Sequence, residues 1–360
     1  MSDRVATEFT GPHTFASDNY SGASPEILAA LAAVNVGHDR AYGADSETQR
    51  LQTLVAEHFG TGATAFPVFN GTGANVVGLL SMLPPWGAVI CSATAHIHTD
   101  EGGAPEKAGI KLLTVPTPDG KLTPELIATQ AWGYGDEHRA QPLAVYLTQS
   151  SELGTLYTPE EIAAITQYSH AAGMRVYVDG ARLANAAAAL DLPLRAFTRD
   201  VGVDVVSFGG TKNGALGAEA IVVLDPQAAT GLPYLRKHRM QLASKMRFVS
   251  AQLTALLTDE LFLRNARAAN AAAARLRAGV EAGLADGSIQ GVTFTQPTQV
   301  NAVFATLPPG VADELRRDFH FYDWNSATGE VRWMCSFDTT DSDVDAFVAA
   351  IARSTTALAG

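Results

Sequence analysis

An α/β fold is what this sequence predicts, with a mostly parallel, doubly wound sheet in a large domain and a smaller α+β domain after it. Three features carry that prediction. Short β-rich runs alternate with longer helical stretches through the first two thirds of the 360 residues. Several of those runs are apolar throughout, as strands covered on both faces are. The alternation stops near Ala251, where one long helical stretch takes over. Strands are expected, in order, at residues 88–92, 111–115, 144–148, 175–179, 203–209 and 219–224. Helices are expected at 73–82 and 159–172. Beyond the change of pattern come a long Ala-, Arg- and Leu-rich helix at 259–284, strands near 292–295, 302–306 and 331–338, and a closing helix at 341–352. The expected division is a large α/β domain over residues 1–250, N-terminal segment included, and a small α+β domain over 251–360.

Composition narrows the function classes. Apolar residues make up 47% and charged residues 17%, so the chain can bury a large core and intrinsic disorder is excluded. The net charge of −12 disfavours nucleic acid, whose phosphates need a positive stripe. Cys91 and Cys335 both sit in apolar runs and read as buried thiols, not a disulfide framework. No run approaches the roughly 18 to 20 apolar residues of a membrane helix, and Met1 to Gly22 lack the apolar stretch of a signal peptide. A cytoplasmic location is the expectation.

Four stretches can carry chemistry. In Val176-Tyr177-Val178-Asp179-Gly180-Ala181-Arg182 an apolar strand ends in an aspartate, and ligands of parallel sheets bind outside the carboxyl ends of strands. One crossover later, Ser207-Phe208-Gly209-Gly210-Thr211-Lys212 puts a lysine among small and apolar neighbours. Desolvation there favours the neutral amine that Schiff-base chemistry needs. Asp179, Arg182 and Lys212 together match what pyridoxal phosphate requires: a partner for its ring nitrogen, an anion holder and an amine. Taken singly, an N-cap aspartate and a solvated lysine would be the ordinary readings. The third stretch, Asn70-Gly71-Thr72-Gly73-Ala74-Asn75, can bring backbone N–H groups to a phosphate at a helix start. Val76 stands where a dinucleotide fingerprint needs its third glycine. A plain strand-to-helix turn is the alternative. The fourth is Ala95-His96-Ile97-His98-Thr99-Asp100-Glu101-Gly102-Gly103. Its His-x-His lacks further metal ligands at recognisable spacing, and an imidazole stacked on a cofactor ring is the better functional reading.

These residues resemble the fold-type I pyridoxal phosphate enzymes, most closely the low-specificity L-threonine aldolases and the related phenylserine aldolases. Asp179-Gly-Ala-Arg182, the stretch Ser207 to Gly214, and His96 with Glu101 and Gly102-Gly103 carry the resemblance, which spans nearly the whole chain. His38-Asp39-Arg40-Ala41-Tyr42-Gly43 is similar to a further family stretch, Gly-Asp-Asp-x-Tyr-Gly, from which His38 and Arg40 depart. The resemblance implies a carbon–carbon lyase that cleaves threonine-type β-hydroxy-α-amino acids to glycine and an aldehyde. The alternative is a β-eliminating lyase or aminotransferase on the same fold. It implies that Lys212 joins the cofactor, Asp179 pairs with its ring nitrogen, His96 stacks on the ring, and Gly71, Thr72 and Gly73 cradle the phosphate. Ser17, Arg182 and Arg332 would hold the substrate carboxylate, with Arg182 also near the cofactor's phenolic oxygen. A homotetramer is implied, with Tyr42 and Arg247 reaching a neighbouring subunit's site and Arg247 serving the phosphate. Without the resemblance, Arg236, Lys237, Arg239, Lys245 and Arg247 read as a solvated helix face. One departure stands out. Where many threonine aldolases carry Glu-Asn-Thr-His, this sequence reads Thr148-Gln149-Ser150-Ser151-Glu152. The proton of the substrate's β-hydroxyl then falls to His96, His98 or a water.

Overall fold

The computed structural model describes residues 14–357, in which two sheets organise the chain. The first has seven strands: β1 (Thr64–Val68), β2 (Gly87–Ser92), β3 (Lys111–Val115), β4 (Gln141–Thr148), β5 (Arg175–Asp179), β6 (Val205–Gly209) and β7 (Glu219–Val223). Their order is β1-β7-β6-β5-β4-β2-β3. The run from β3 to β6 is parallel, whereas β7 is antiparallel to both β6 and β1. The reason is connection length: residues 210–218 between β6 and β7 are too few for the crossover a parallel neighbour requires. The mostly parallel sheet that the sequence predicts is present, and β2, β6 and β7 are buried along their whole length.

The second sheet is antiparallel throughout, with β8 (Thr293–Phe294), β9 (Ala302–Thr306), β10 (Tyr322–Asn325) and β11 (Glu330–Met334) in the order β10-β11-β9-β8. The helix Leu261–Asp286 ties the two sheets together. Its Leu261, Phe262 and Ala266 belong to the core of the first, and its Ala272, Ala273, Leu276 and Val280 to the core of the second. It starts two residues later than its composition suggests, because Asp259 and Glu260 take φ of 49° and 54°, a left-handed backbone outside the α-helical range. Phe15, from the opposite end of the chain, is stacked on Phe347 of the closing helix Asp341–Ala357 at 4.4 Å. Its backbone bonds His320 and Met334. Residues 14–18 thus form a strap over the second sheet.

The strands at 111–115, 175–179 and 302–306 have the predicted bounds. Two strands escaped prediction. β1 contains Pro67, which has no donor for a ladder and is tolerated because β1 lies at the sheet edge. β10 is also an edge strand, largely exposed and without an apolar run.

Candidate active site

The polar residues gather at the carboxyl ends of β4, β5 and β6. Asp179, the last residue of β5, is 3% exposed. Its Oδ2 accepts from the Tyr146 hydroxyl and from Asn75 Nδ2 at 2.9 Å, and its Oδ1 accepts from the Ala181 amide at 2.9 Å. Burial by itself raises this carboxyl's pKa. Hydrogen bonds from Tyr146, the Ala181 amide and Asn75, with the charge of His96, outweigh that and hold it below the ordinary aspartate value. The group is therefore a fixed negative charge. The backbone around it is tight: a Cβ on Gly180 would lie 2.0 Å from the Ser207 carbonyl oxygen, so only glycine lets the turn pack on β6.

Lys212 lies in the single turn Thr211–Asn213 that follows β6. Burial pushes its amine pKa down, and Arg182 acts in the same direction. His96 opens the one-turn helix His96–Thr99. Its Nδ1 is 2.9 Å from Glu101 Oε1, which also accepts from Asn75 at 2.8 Å. The Glu101 hydrogen bond raises the imidazole pKa against the opposing effect of burial. Asn75 thus links the two carboxylates, Asp179 and Glu101, in one hydrogen-bonded set.

Lys212, His96, Ser17, Arg182 and Arg332 line one cavity of about 730 Å³, a size ordinary for a small-molecule site. Arg182 donates to both oxygens of Asp18, through Nε at 2.7 Å and Nη2 at 2.9 Å. Asp18 also accepts from Asn301 at 3.0 Å. Arg332 makes one long hydrogen bond, to the Ala16 carbonyl at 3.4 Å, and its buried Nε has no partner. Burial depresses its guanidinium to about 10, and Arg182 adds to the effect.

With this geometry in view, comparison with known proteins is informative. A family model described as beta-eliminating lyase matches residues 14–307. The chain belongs to that family of enzymes. It is 43% identical over 328 residues to the low specificity L-threonine aldolase of Pseudomonas aeruginosa, covering 90% of this chain and 93% of that protein. The namesake from Pseudomonas sp. is 41% identical over 333 residues, covering 92% and 94%. Among solved structures, the threonine aldolase of Leishmania major matches with a TM-score of 0.88 at 31% identity, over 95% of this chain and 99% of that one. The fold is fold-type I of the pyridoxal phosphate-dependent enzymes, with the small antiparallel sheet as its C-terminal part.

Within this family member the predicted site residues divide into three groups. Ser17, His96, Arg182, Lys212 and Arg332 share the cavity, and Asp179 joins them through Asn75. Gly71, Thr72 and Gly73 form the first turn of the helix Gly71–Met82, which also carries Asn75. Tyr42 and Arg247 do not line the cavity. Tyr42 is exposed beneath Lys237, with its ring 5.1 Å from the ammonium, and Arg247 donates to the Val36 carbonyl. The solvated basic face needs correcting at Arg236. That side chain is 9% exposed: the short helix Leu232–His238 packs against the helix Gly71–Met82, and from there Arg236 reaches β1, donating to the Pro67 carbonyl and sitting over the Phe66 ring. Sequence reasoning missed Asp18, Asn75 and Tyr146 as site residues. Tyr146 sits in an apolar strand and reads as core. Asn75, one turn into a helix beside a glycine pair, was the available signal.

Proposed function

We propose that this protein binds pyridoxal 5′-phosphate and reversibly cleaves β-hydroxy-α-amino acids of the L-threonine and L-allo-threonine type, phenylserine included, to glycine and an aldehyde. The observation that carries this reading is a desolvated lysine and an unsatisfied arginine at one cavity, with a buried charged aspartate joined to it through Asn75. The 43% identity to a low specificity L-threonine aldolase supports the choice of reaction.

The donor set fits the cofactor. Asp179 holds the fixed charge that a protonated ring nitrogen needs, and Lys212 has the lowered pKa that favours attack on an aldehyde. His96 would stack on the ring. The first turn of the helix Gly71–Met82 would take the phosphate: among the described residues nothing lies within 4 Å of a Cβ on Gly71, so the turn is open there, whereas the Gln241 side chain covers Gly73. The Gly73 amide already serves the cap on Asn70 Oδ1, which leaves the Gly71 and Thr72 amides as the free donors of the first turn. When bound, this cofactor supplies the electron sink for the pair left at Cα as the Cα–Cβ bond breaks.

The chain's own residues orient the amino acid. Arg332, a buried cation with an unmatched N–H, calls for a carboxylate, and Ser17 adjoins it in the cavity. Arg182, fixed by Asp18 through two of its nitrogens, keeps Nη1 for the cofactor's phenolic oxygen or the substrate carboxylate. Lys212, whose pKa burial lowers, would serve as the base that moves a proton at Cα.

Incubating the pyridoxal phosphate-loaded protein with L-threonine tests the reading. Glycine and acetaldehyde are expected. A keto acid with ammonia would instead favour the β-eliminating alternative on the same fold. We further propose a cytoplasmic homotetramer in which Tyr42 and Arg247 reach a neighbouring subunit's site, and a domain division at residue 250. Sedimentation showing an active monomer would overturn the shared site.

A further inference from the structure

We propose that Glu152 is the catalytic residue that exchanges the proton of the substrate's β-hydroxyl. The inference rests on the aldolase reading above. It starts from a carboxyl group that the fold places at the cavity and leaves half satisfied. Glu152 lines the same cavity as Lys212 and His96. Its Oε1 accepts from the Thr148 hydroxyl at 2.7 Å and from the His96 amide at 2.9 Å. Its Oε2 is buried and has no hydrogen-bond partner. No lysine or arginine pairs with it among the described residues. A buried carboxyl oxygen without a partner carries a substantial desolvation cost, and residues so arranged at a cavity are candidates for proton transfer.

The two oxygens have different tasks. Oε1, with two donors aimed at it, stays anionic in character and fixes the carboxyl plane. Oε2 faces no donor, so a proton arriving there breaks no existing hydrogen bond. Burial raises the carboxyl's pKa above the ordinary glutamate value against the pull of Thr148 and the amides, a shift in the direction that suits a group taking and returning a proton. The charged and titratable groups around it are Asp179 on β5, Tyr146 on β4, Cys91 on β2, Tyr157, Arg182 and His96. The tyrosines and the cysteine have raised pKa values and stay neutral. His98 is exposed and off the cavity, and the Nδ1 of His96 is engaged by Glu101.

The step balances. As the Cα–Cβ bond breaks, its electron pair stays at Cα, the Cβ–O bond becomes the aldehyde carbonyl, and the hydroxyl proton passes to Glu152. Glycine gains one proton at Cα, and Glu152 returns its own to solvent. In synthesis the neutral carboxyl protonates the forming alkoxide.

Glu152→Gln in the loaded enzyme tests this. The substitution keeps an acceptor for Thr148 and His96 and removes the proton site. Two activities are read on one sample: cleavage of L-threonine, which needs the hydroxyl proton, and exchange of the glycine α-proton in D₂O, which does not. The expected result is a kcat for cleavage lower by about 10²-fold or more, with KM and glycine exchange within about threefold of wild type. Cleavage within threefold of wild type overturns the proposal, and equal loss of both activities assigns Glu152 a structural role in holding His96. Should the variant not fold, the wild-type pH profiles decide. An acid limb in cleavage that glycine exchange lacks supports Glu152, and identical profiles overturn it. A wild-type enzyme inactive in both assays fails the aldolase reading itself, whatever Glu152 does.

Discussion

Asp179 and Ser17 serve one cavity from opposite styles of construction. On the large-sheet side, Asp179 accepts from Tyr146, Asn75 and the Ala181 amide, Asn75 is bonded in turn by Tyr177, and the two tyrosine rings stack at 5.6 Å. On the other side, the strap with the residues just after it and the small sheet contribute Ser17, Tyr20, Tyr322 and Arg332. Tyr20 and Tyr322 are 52% and 42% exposed, and Arg332 has a single long hydrogen bond. Asp179, with both oxygens engaged, has little left to offer a ligand except its charge and its rigidity, although Oε2 of Glu101 in the same set has no partner. On the other side the Tyr20 and Tyr322 hydroxyls bond each other, and Arg332 keeps its donors for whatever binds. On the proposed reading the first side would set chemistry and stability together, and the second would set affinity at little cost to stability.

Substitutions that separate those properties sharpen the contrast. The largest effect belongs to Lys212→Ala: cleavage should fall roughly 10³-fold or more, and the visible band of the loaded protein should vanish. Its melting temperature should hold, since a desolvated lysine is removed. Next, Asp179→Asn should lower kcat by about 10²-fold, whereas Arg332→Leu should raise the KM for L-threonine at least about tenfold. Steady-state kinetics of the pair decide whether the sides differ, and equal kcat losses would erase the distinction. A third comparison uses urea unfolding of the apoprotein. Asn75→Ala removes hydrogen bonds to Asp179, Glu101 and Tyr177 and should cost about 2–4 kcal/mol, while Arg332→Leu should cost less than about 1 kcal/mol.

The smallest effect concerns Glu219, the buried first residue of β7, whose carboxyl burial pushes up to about 7 from 4.5. Between those values the folded chain holds a proton that the unfolded chain has released. Stability should therefore decline as pH rises through that window, by at most about 1.4 kcal/mol per unit. Glu219→Gln should flatten the decline in apoprotein melting temperature, and an unchanged slope would show that another group is responsible.

How much of this was legible follows from what each residue depends on. The run ending at Asp179 and the turn holding Lys212 are local: apolar strands, small residues and a charge at the carboxyl end suffice to expose them. Tyr146 and Asn75 act through partners on other elements, so their own neighbourhoods read as core and helix. Asp18 matters only because Arg182 and Asn301 come to it, and nothing adjacent to it says so. Among the edge strands, β1 is interrupted by Pro67 and β10 lacks the apolar run that marked the buried strands, and β7 reversed direction because its connection was short.

The strap at residues 14–18 has a consequence for the order in which the protein can assemble. Asp18 bonds Arg182 and Asn301 across 164 and 283 residues, and Arg332 reaches Ala16 across 316. During synthesis the large sheet can close once β7 has emerged, with Asp179 and Lys212 in register. The strap's Asp18 can meet Arg182 at that stage, but its pairing with His320 and Met334 has to wait until β11 is made. Such long closures are entropically slow. A nascent chain therefore has Lys212 in place before Arg332 exists to complete the cavity, and residues 14–18 are fastened to the second sheet only after β11 is made.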